Sequence, residues 1–255
     1  MSSGPTVVVA KDAAVLAHAV AARLLTRLAD AQAARGEASV VLAGGTIAIA
    51  ALRAVAASPA RDAVDWRRVD VWWGDERFVA SDDPERNELQ AREALLDQLP
   101  LVPSRVHPMG FAGGLDRDDA DAAAARYVQE LGLAASGDAA TPEFDVVLLG
   151  MGPEGHTASI FPESPAAYDE RPAFGVHHCP KPPPTRISLG FSALSSARDV
   201  WMVVSGAEKA SAVAAALSGT DRVQLPAAGP RGRESTLWLL DEDTASALPK
   251  DLRRR

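Results

Sequence analysis

The sequence is short of cysteine. Its 255 residues include one, Cys179, which excludes an internal disulfide framework and fits a reducing compartment. Basic residues are in deficit too: 26 Lys and Arg stand against 34 Asp and Glu, for a net charge of −8 and a pI near 5.2. Such a balance argues against nucleic acid or an anionic membrane surface as main partner. A local cluster of Arg and Lys still suits a small anionic substrate. No apolar run approaches the ~20 residues that span a bilayer, and the first residues lack the basic-then-apolar pattern of a secretory signal. A cytoplasmic protein is expected. Internal repeats and a clear domain boundary are also missing, so we expect one domain over 1–255, closing in a short basic tail at 250–255. No G-x-G-x-x-G follows the first strand, which speaks against a dinucleotide enzyme. The nearest imitation, Gly150-Met151-Gly152 with Gly155, carries Glu154 and His156, which sit badly against a pyrophosphate. His177, His178 and Cys179 are adjacent, and three adjacent residues seldom converge on one ion. No metal and no other cofactor is expected.

What is present alternates between strands and helices. The apolar runs at 6–10, 39–43, 69–73, 146–149, 199–204 and 235–240 read as strands, mostly buried on both faces. Asp12 suits the cap of a helix whose Leu16, Val20, Leu24 and Leu28 share one face and which Gly36 ends. Helices are also expected at 47–55, 84–99 and 118–133. In the third, Leu89, Leu95, Leu96 and Leu99 should point inward. The fourth packs through Tyr127, Val128 and Leu131. His107, in an irregular stretch at 100–114, reads as structural. This order implies an α/β, Rossmann-like, mainly parallel sheet flanked by helices.

In such a sheet the carboxyl ends of the strands share one edge, where ligands bind. The polar insertions of this chain follow its strands. Gly44-Gly45-Thr46, between a strand and a helix, reads either as a plain turn or as an anion site of backbone N–H groups and a helix start. Asp75, Glu76 and Arg77 follow 69–73 and read either as a solvated turn or as a carboxylate beside an anion-binding arginine. Glu154 and His156 stand on a glycine-rich bend after 146–149. Ser205 and Glu208 fit a capping box, and Lys209 in the first turn opposes the helix dipole, reading either as a solvent-facing lysine or as a partner for a bound anion. The proline-rich 163–185 reads as a rim loop or lid. Carboxylates, an imidazole and several cations on one edge suit acid–base chemistry on a phosphorylated small molecule. With no nucleophilic Ser or Cys beside the histidine, attack by water is favoured over a covalent intermediate.

The stretch VVLLGMGPEGHTASIFP resembles the signature of 6-phosphogluconolactonases, relatives of the glucosamine-6-phosphate deaminases. VLAGGT, WWGDERFV, PPPTRISL and SGAEKASAV match further blocks in the same order, over about 41–213. The resemblance implies hydrolysis of 6-phospho-D-glucono-1,5-lactone to 6-phospho-D-gluconate, in the oxidative pentose phosphate pathway, by a monomer or weak homo-oligomer. It makes His156 the base that activates water and Glu154 its orienting partner, where lactonases often have Asp. It makes Arg186 and Lys209 the phosphate clamps, helped by Gly44, Gly45 and Thr46, and puts Asp75 and Arg77 in the same crevice, Asp75 among the catalytic groups. Ile47-Ala48 follow Thr46 where many lactonases carry Ser or Thr and then Pro. Deaminases place a catalytic carboxylate five residues after the histidine, and here that position is Phe161. The alternatives are a deaminase-like sugar-phosphate isomerase and a non-catalytic sugar-phosphate sensor. The sensor would need a DNA-binding module, and no helix-turn-helix precedes the first strand.

Overall fold

The computed structural model describes residues 4–250 and 252. Of the basic tail, 251 and 253–255 lie outside the described residues. The strands are β1 (Thr6–Ala10), β2 (Ala38–Leu42), β3 (Val69–Trp73), β4 (Asp75–Arg77), β5 (Val146–Leu149), β6 (Ala173–Val176), β7 (Arg186–Leu189), β8 (Asp199–Val204) and β9 (Ser235–Asp241). The helices are α1 (Ala13–Arg35), α2 (Thr46–Ala57), α3 (Asn87–Ala94), α4 (Ala120–Ala134), α5 (Phe191–Leu194) and α6 (Ala210–Leu217). Six strands form an all-parallel sheet in the order β1-β9-β8-β5-β2-β3. The expected Rossmann-like sheet is therefore present.

The buried strands have two covered faces because their residues alternate between two cores. Along β8, Val200, Met202 and Val204 pack with α4, α5 and α6 on one side. Trp201 and Val203 pack with α1 and α2 on the other. Helix α1 starts where Asp12 Oδ1 accepts the N–H of Val15 at 2.8 Å and ends at Gly36, whose φ of +83° is the left-handed cap that glycine adopts without strain. Leu16, Val20, Leu24 and Leu28 are all buried on its inner face.

From β2 the chain moves outward to β3 and then returns to β5 on the other side of β2. The loops leaving β2 and β5 therefore diverge, and this switch point opens the crevice that holds the site.

Three expectations need correction. Residues 75–77 form neither a turn nor part of the main sheet. They are β4 of a second, antiparallel sheet ordered β4-β7-β6. Three residues are too few to show a period-two pattern, and the partner strands lie about 100 residues away. The helix expected over 84–99 is shorter. Its cap comes from outside the segment: the Glu76 carboxylate accepts the N–H groups of Asn87 at 2.7 Å and Glu88 at 2.9 Å. It stops at Ala94, beyond which Leu96–Gln98 form a 3-10 turn; Leu95 and Leu96 are buried, while Leu89 and Leu99 are half-buried. The capping box at 205–208 does not form. Ser205 Oγ instead donates to Asp241 Oδ2 at 2.6 Å, and a 3-10 turn, Ala207–Lys209, leads into α6. The proline-rich 163–185 also holds more order than a bare loop, since β6 lies within it.

Candidate functional site

The loop after β5 is built tightly around His156. Gly152 N donates to the His156 carbonyl at 3.0 Å, and Gly155, at φ +94°, closes the bend with a bond from its N–H to the Gly152 carbonyl at 2.9 Å. A Cβ on Gly152 would overlap the His156 ring and lie 2.7 Å from Glu154 Oε2. Only glycine leaves room for the imidazole in this position. His156 Nδ1 lies 2.7 Å from Glu154 Oε1, and the ring stacks on Phe161 with centroids 4.5 Å apart. A carboxylate at Nδ1 holds the proton there, so Nε2 carries the free lone pair. Burial is the main influence on the imidazole and holds its pKa below the ordinary 6.5, although Glu154 pulls the other way. Burial would raise the Glu154 carboxyl. The Lys181 ammonium, a backbone N–H and His156 outweigh it and hold the group below its ordinary value. At neutral pH the pair is thus a carboxylate and a neutral imidazole.

His156 faces a cavity of about 460 Å³, a size that suits a small ligand. Gly44, Gly45 and Thr46 form one wall. Gly45 is the N-cap of α2 with φ +92°, and no side chain caps the helix. The first N–H groups of α2 have no partner within the helix, and they carry its positive end. Lys209 also lines the cavity. It is half-buried, and its ammonium has no hydrogen bond or ion pair among the described residues.

Arg77 and Arg186 stand opposite each other in the register of β4 and β7, so both guanidinium groups rise from one face of the small sheet into the cavity. Like charges placed so are unfavourable without a counter-ion. Each is steered mainly by backbone carbonyls. Arg186 Nε donates to Pro183, and Nη2 to Lys181 and Pro182, all at 3.2 Å. Arg77 Nη1 donates to the Glu85 carbonyl and lies 3.8 Å from that residue's carboxylate. The nearest carboxylate to Arg186 is Asp75, with Oδ2 at 4.0 Å from Nη1. Asp75 is itself occupied: Oδ2 accepts Ser159 Oγ at 2.6 Å, and its carbonyl accepts Asn87 Nδ2 at 2.9 Å.

Eight of the nine residues that the resemblance assigns to the site therefore line one cavity. Glu154 is the exception, lying behind His156. Glu76 turns away and serves α3. Sequence reasoning missed two residues. Asn87 lines the cavity, with Oδ1 buried and unpaired beside Gly44; its only signal was its place just past the charged run 82–86. Lys181 reaches Glu154 from the rim at 2.8 Å; it stands immediately before the three prolines of a block already recognised. His107, read as structural, stacks on Trp72 with centroids 3.7 Å apart, between Asp70 and Glu130. His177 bonds Asp121. Among the described residues, no group of three or more His, Cys, Asp or Glu side chains is placed to hold a metal ion, and no helix is long and apolar enough to cross a membrane.

The family described as Glucosamine-6-phosphate isomerases/6-phosphogluconolactonase matches residues 11–238. A 6-phosphogluconolactonase of Streptomyces coelicolor is 55% identical over 255 residues, covering 99% of this chain and 98% of the relative. Among solved structures, the 6-phosphogluconolactonase from Trypanosoma brucei superposes with a TM-score of 0.79 at 29% identity, over 97% of this chain and 100% of that one. A monomeric glucosamine-6-phosphate deaminase also reaches a TM-score of 0.79, over 95% and 99%, at 20% identity; that likeness concerns the fold alone.

Proposed function

The chain belongs to the glucosamine-6-phosphate isomerase/6-phosphogluconolactonase family and is an enzyme of its lactonase branch; we propose that it hydrolyses 6-phospho-D-glucono-1,5-lactone to 6-phospho-D-gluconate by water attack that His156 activates. One observation carries this reading. A neutral imidazole, backed by a carboxylate, shares a cavity with an unpaired lysine, two facing arginines and an uncapped helix start.

The phosphate is the dianion these cations suit. Arg186, Lys209 and Arg77 hold it with the help of α2, through Gly44, Gly45 and Thr46. Held there, the substrate presents its lactone carbonyl to His156. Nε2 takes a proton from water as the water oxygen bonds to C1. The carbonyl electrons move to oxygen, and the cavity's donors stabilise that oxyanion. The tetrahedral intermediate then expels the ring oxygen, which takes the proton back from Nε2. The new carboxylic acid ionises and releases a proton to solvent. Glu154 fixes the tautomer and favours the transient imidazolium. Asp75, engaged with Ser159, Asn87 and Arg186, keeps the arginine and the loop after His156 in place. Phe161 occupies the position where deaminases carry a carboxylate, and its ring against His156 leaves no acid there for isomerisation. With this reading go a cytoplasmic setting and a monomer or weak homo-oligomer.

General base catalysis typically supplies roughly 10²–10⁴-fold. His156→Ala should therefore lower kcat on freshly made 6-phosphogluconolactone by about that factor, followed as proton release with a pH indicator. Near wild-type turnover in that variant would remove His156 from the role.

A further inference from the structure

We propose that Lys181 is a positioning residue that links the phosphate-binding arginine to the catalytic base, its ammonium holding Glu154 while Arg186 holds its backbone carbonyl. The substrate side of this proposal rests on the lactonase reading above.

Three contacts in series make the link. His156 Nδ1 lies 2.7 Å from Glu154 Oε1, and Glu154 Oε2 accepts Lys181 Nζ at 2.8 Å. The Lys181 carbonyl in turn accepts Arg186 Nη2 at 3.2 Å, and the carbonyls of Pro182 and Pro183 are bound by the same guanidinium. Residues 182–184 are prolines with restricted φ, so the segment follows the arginine as a unit. Lys181 does not line the cavity, so its effect on the reaction passes through Glu154. An ion pair this exposed, at 42% and 34% for the two side chains, contributes little to stability in general. The position of the pair, directly behind the half-buried His156, is what gives it a use.

The charges that face His156 come from several elements. Glu154 on its own loop and Asp75 from β4 favour the imidazolium, and Lys181 from the rim opposes it. Arg186 of β7, which lies 5.9 Å above the Phe161 ring, and Arg77 and Lys209 are the other cations of the cavity. Removing the Lys181 ammonium leaves the carboxylates less opposed, so the imidazole becomes easier to protonate and the Glu154 carboxylate loses one of its two side-chain anchors.

The test compares the full chain with Lys181→Met and Lys181→Arg. The His156 ring is titrated by NMR, and kcat and KM are measured on 6-phosphogluconolactone and on glucono-1,5-lactone without the phosphate. In Lys181→Met the His156 midpoint should rise by about 0.5 pH unit or more. Its kcat on the phosphorylated lactone should fall about fivefold to tenfold, with KM changed less than about twofold. The kcat advantage of the phosphorylated over the plain lactone should shrink in step. Lys181→Arg should restore both readouts, and Lys181→Gln replaces the methionine variant if that fails to fold. An unmoved His156 midpoint overturns the proposal, as does a raised KM with unchanged kcat, which would make Lys181 a substrate contact. A wild-type protein inert towards the lactone, but with the NMR shift present in the variant, would sink the lactonase reading and support the hold of Lys181 on the base.

Discussion

At the scale of single residues, the site depends on atoms that are missing as much as on those present. Gly152 has no side chain because the imidazole of His156 occupies the space one would fill. Gly152→Ala should fold, since the loop is stitched by its own backbone bonds, but it should push His156 off its line to C1. Misplacing a reacting group by about an ångström can cost about 10²-fold. A fall in kcat of about 10–100-fold with a nearly constant KM is therefore expected in steady-state kinetics, and unchanged kcat would mean that the ring tolerates the displacement. Most of the residues that line the cavity were legible in the sequence because they stand on polar, glycine-rich bends straight after buried apolar runs. Glu154, His156, Thr46 and Lys209 all follow strands found correctly from their apolar runs. Lys181 and Asn87 were not legible, because each acts through a partner distant in the chain. Lys181 is 27 residues from Glu154, and Asn87 is 12 from Asp75.

At the scale of elements, the parallel sheet and its helices were readable because each strand is a largely apolar run and α1 carries its own start and stop signals. The small antiparallel sheet was not. β4 is three residues long and owes its structure to β7, and a strand that short has no signature of its own. The same strand contributes Glu76 to the start of α3, where it accepts the N–H groups of Asn87, Glu88 and its neighbour Arg77, with the fully buried Arg86 at 3.5 Å. In Glu76→Gln one oxygen becomes an NH₂ facing a donor, and Arg86 loses part of its compensation. Loss of one member of a buried charge pair costs about 3 kcal/mol, or roughly 6–12 °C in Tm for a chain of this size. A thermal melt checks this, and a drop below about 2 °C would mean that α3 is started by something else.

At the scale of the molecule, the two rims of the sheet do different work. The carboxyl edge carries the cavity, and the amino edge is laced with ion pairs, among them Arg27 with Asp199 and Arg105 with Asp70. His107 joins that lacing. Burial alone would lower its pKa, but Asp70 and Glu130 outweigh it, so the folded value lies above the ordinary 6.5. A raised pKa in the folded state stabilises fully below the unfolded value and ceases to as pH climbs through the folded one. The protein should therefore lose stability in denaturant titrations as pH rises through that window, and His107→Gln should not show that loss. Equal pH dependence in both would remove His107 from the account. The opposed arginines of β4 and β7 have a consequence for anyone improving this enzyme. Each has only a distant carboxylate beside it, Glu85 at 3.8 Å from Arg77 and Asp75 at 4.0 Å from Arg186, so a dianion bound between them would stabilise the fold by mass action. On the proposed phosphate role, heat selection in plain buffer makes no demand on the charge of Arg77 or Arg186, and variants with a neutral side chain at either should survive it without activity. The same selection with the reaction product present would retain both, and sequencing the survivors of the two regimes would tell them apart.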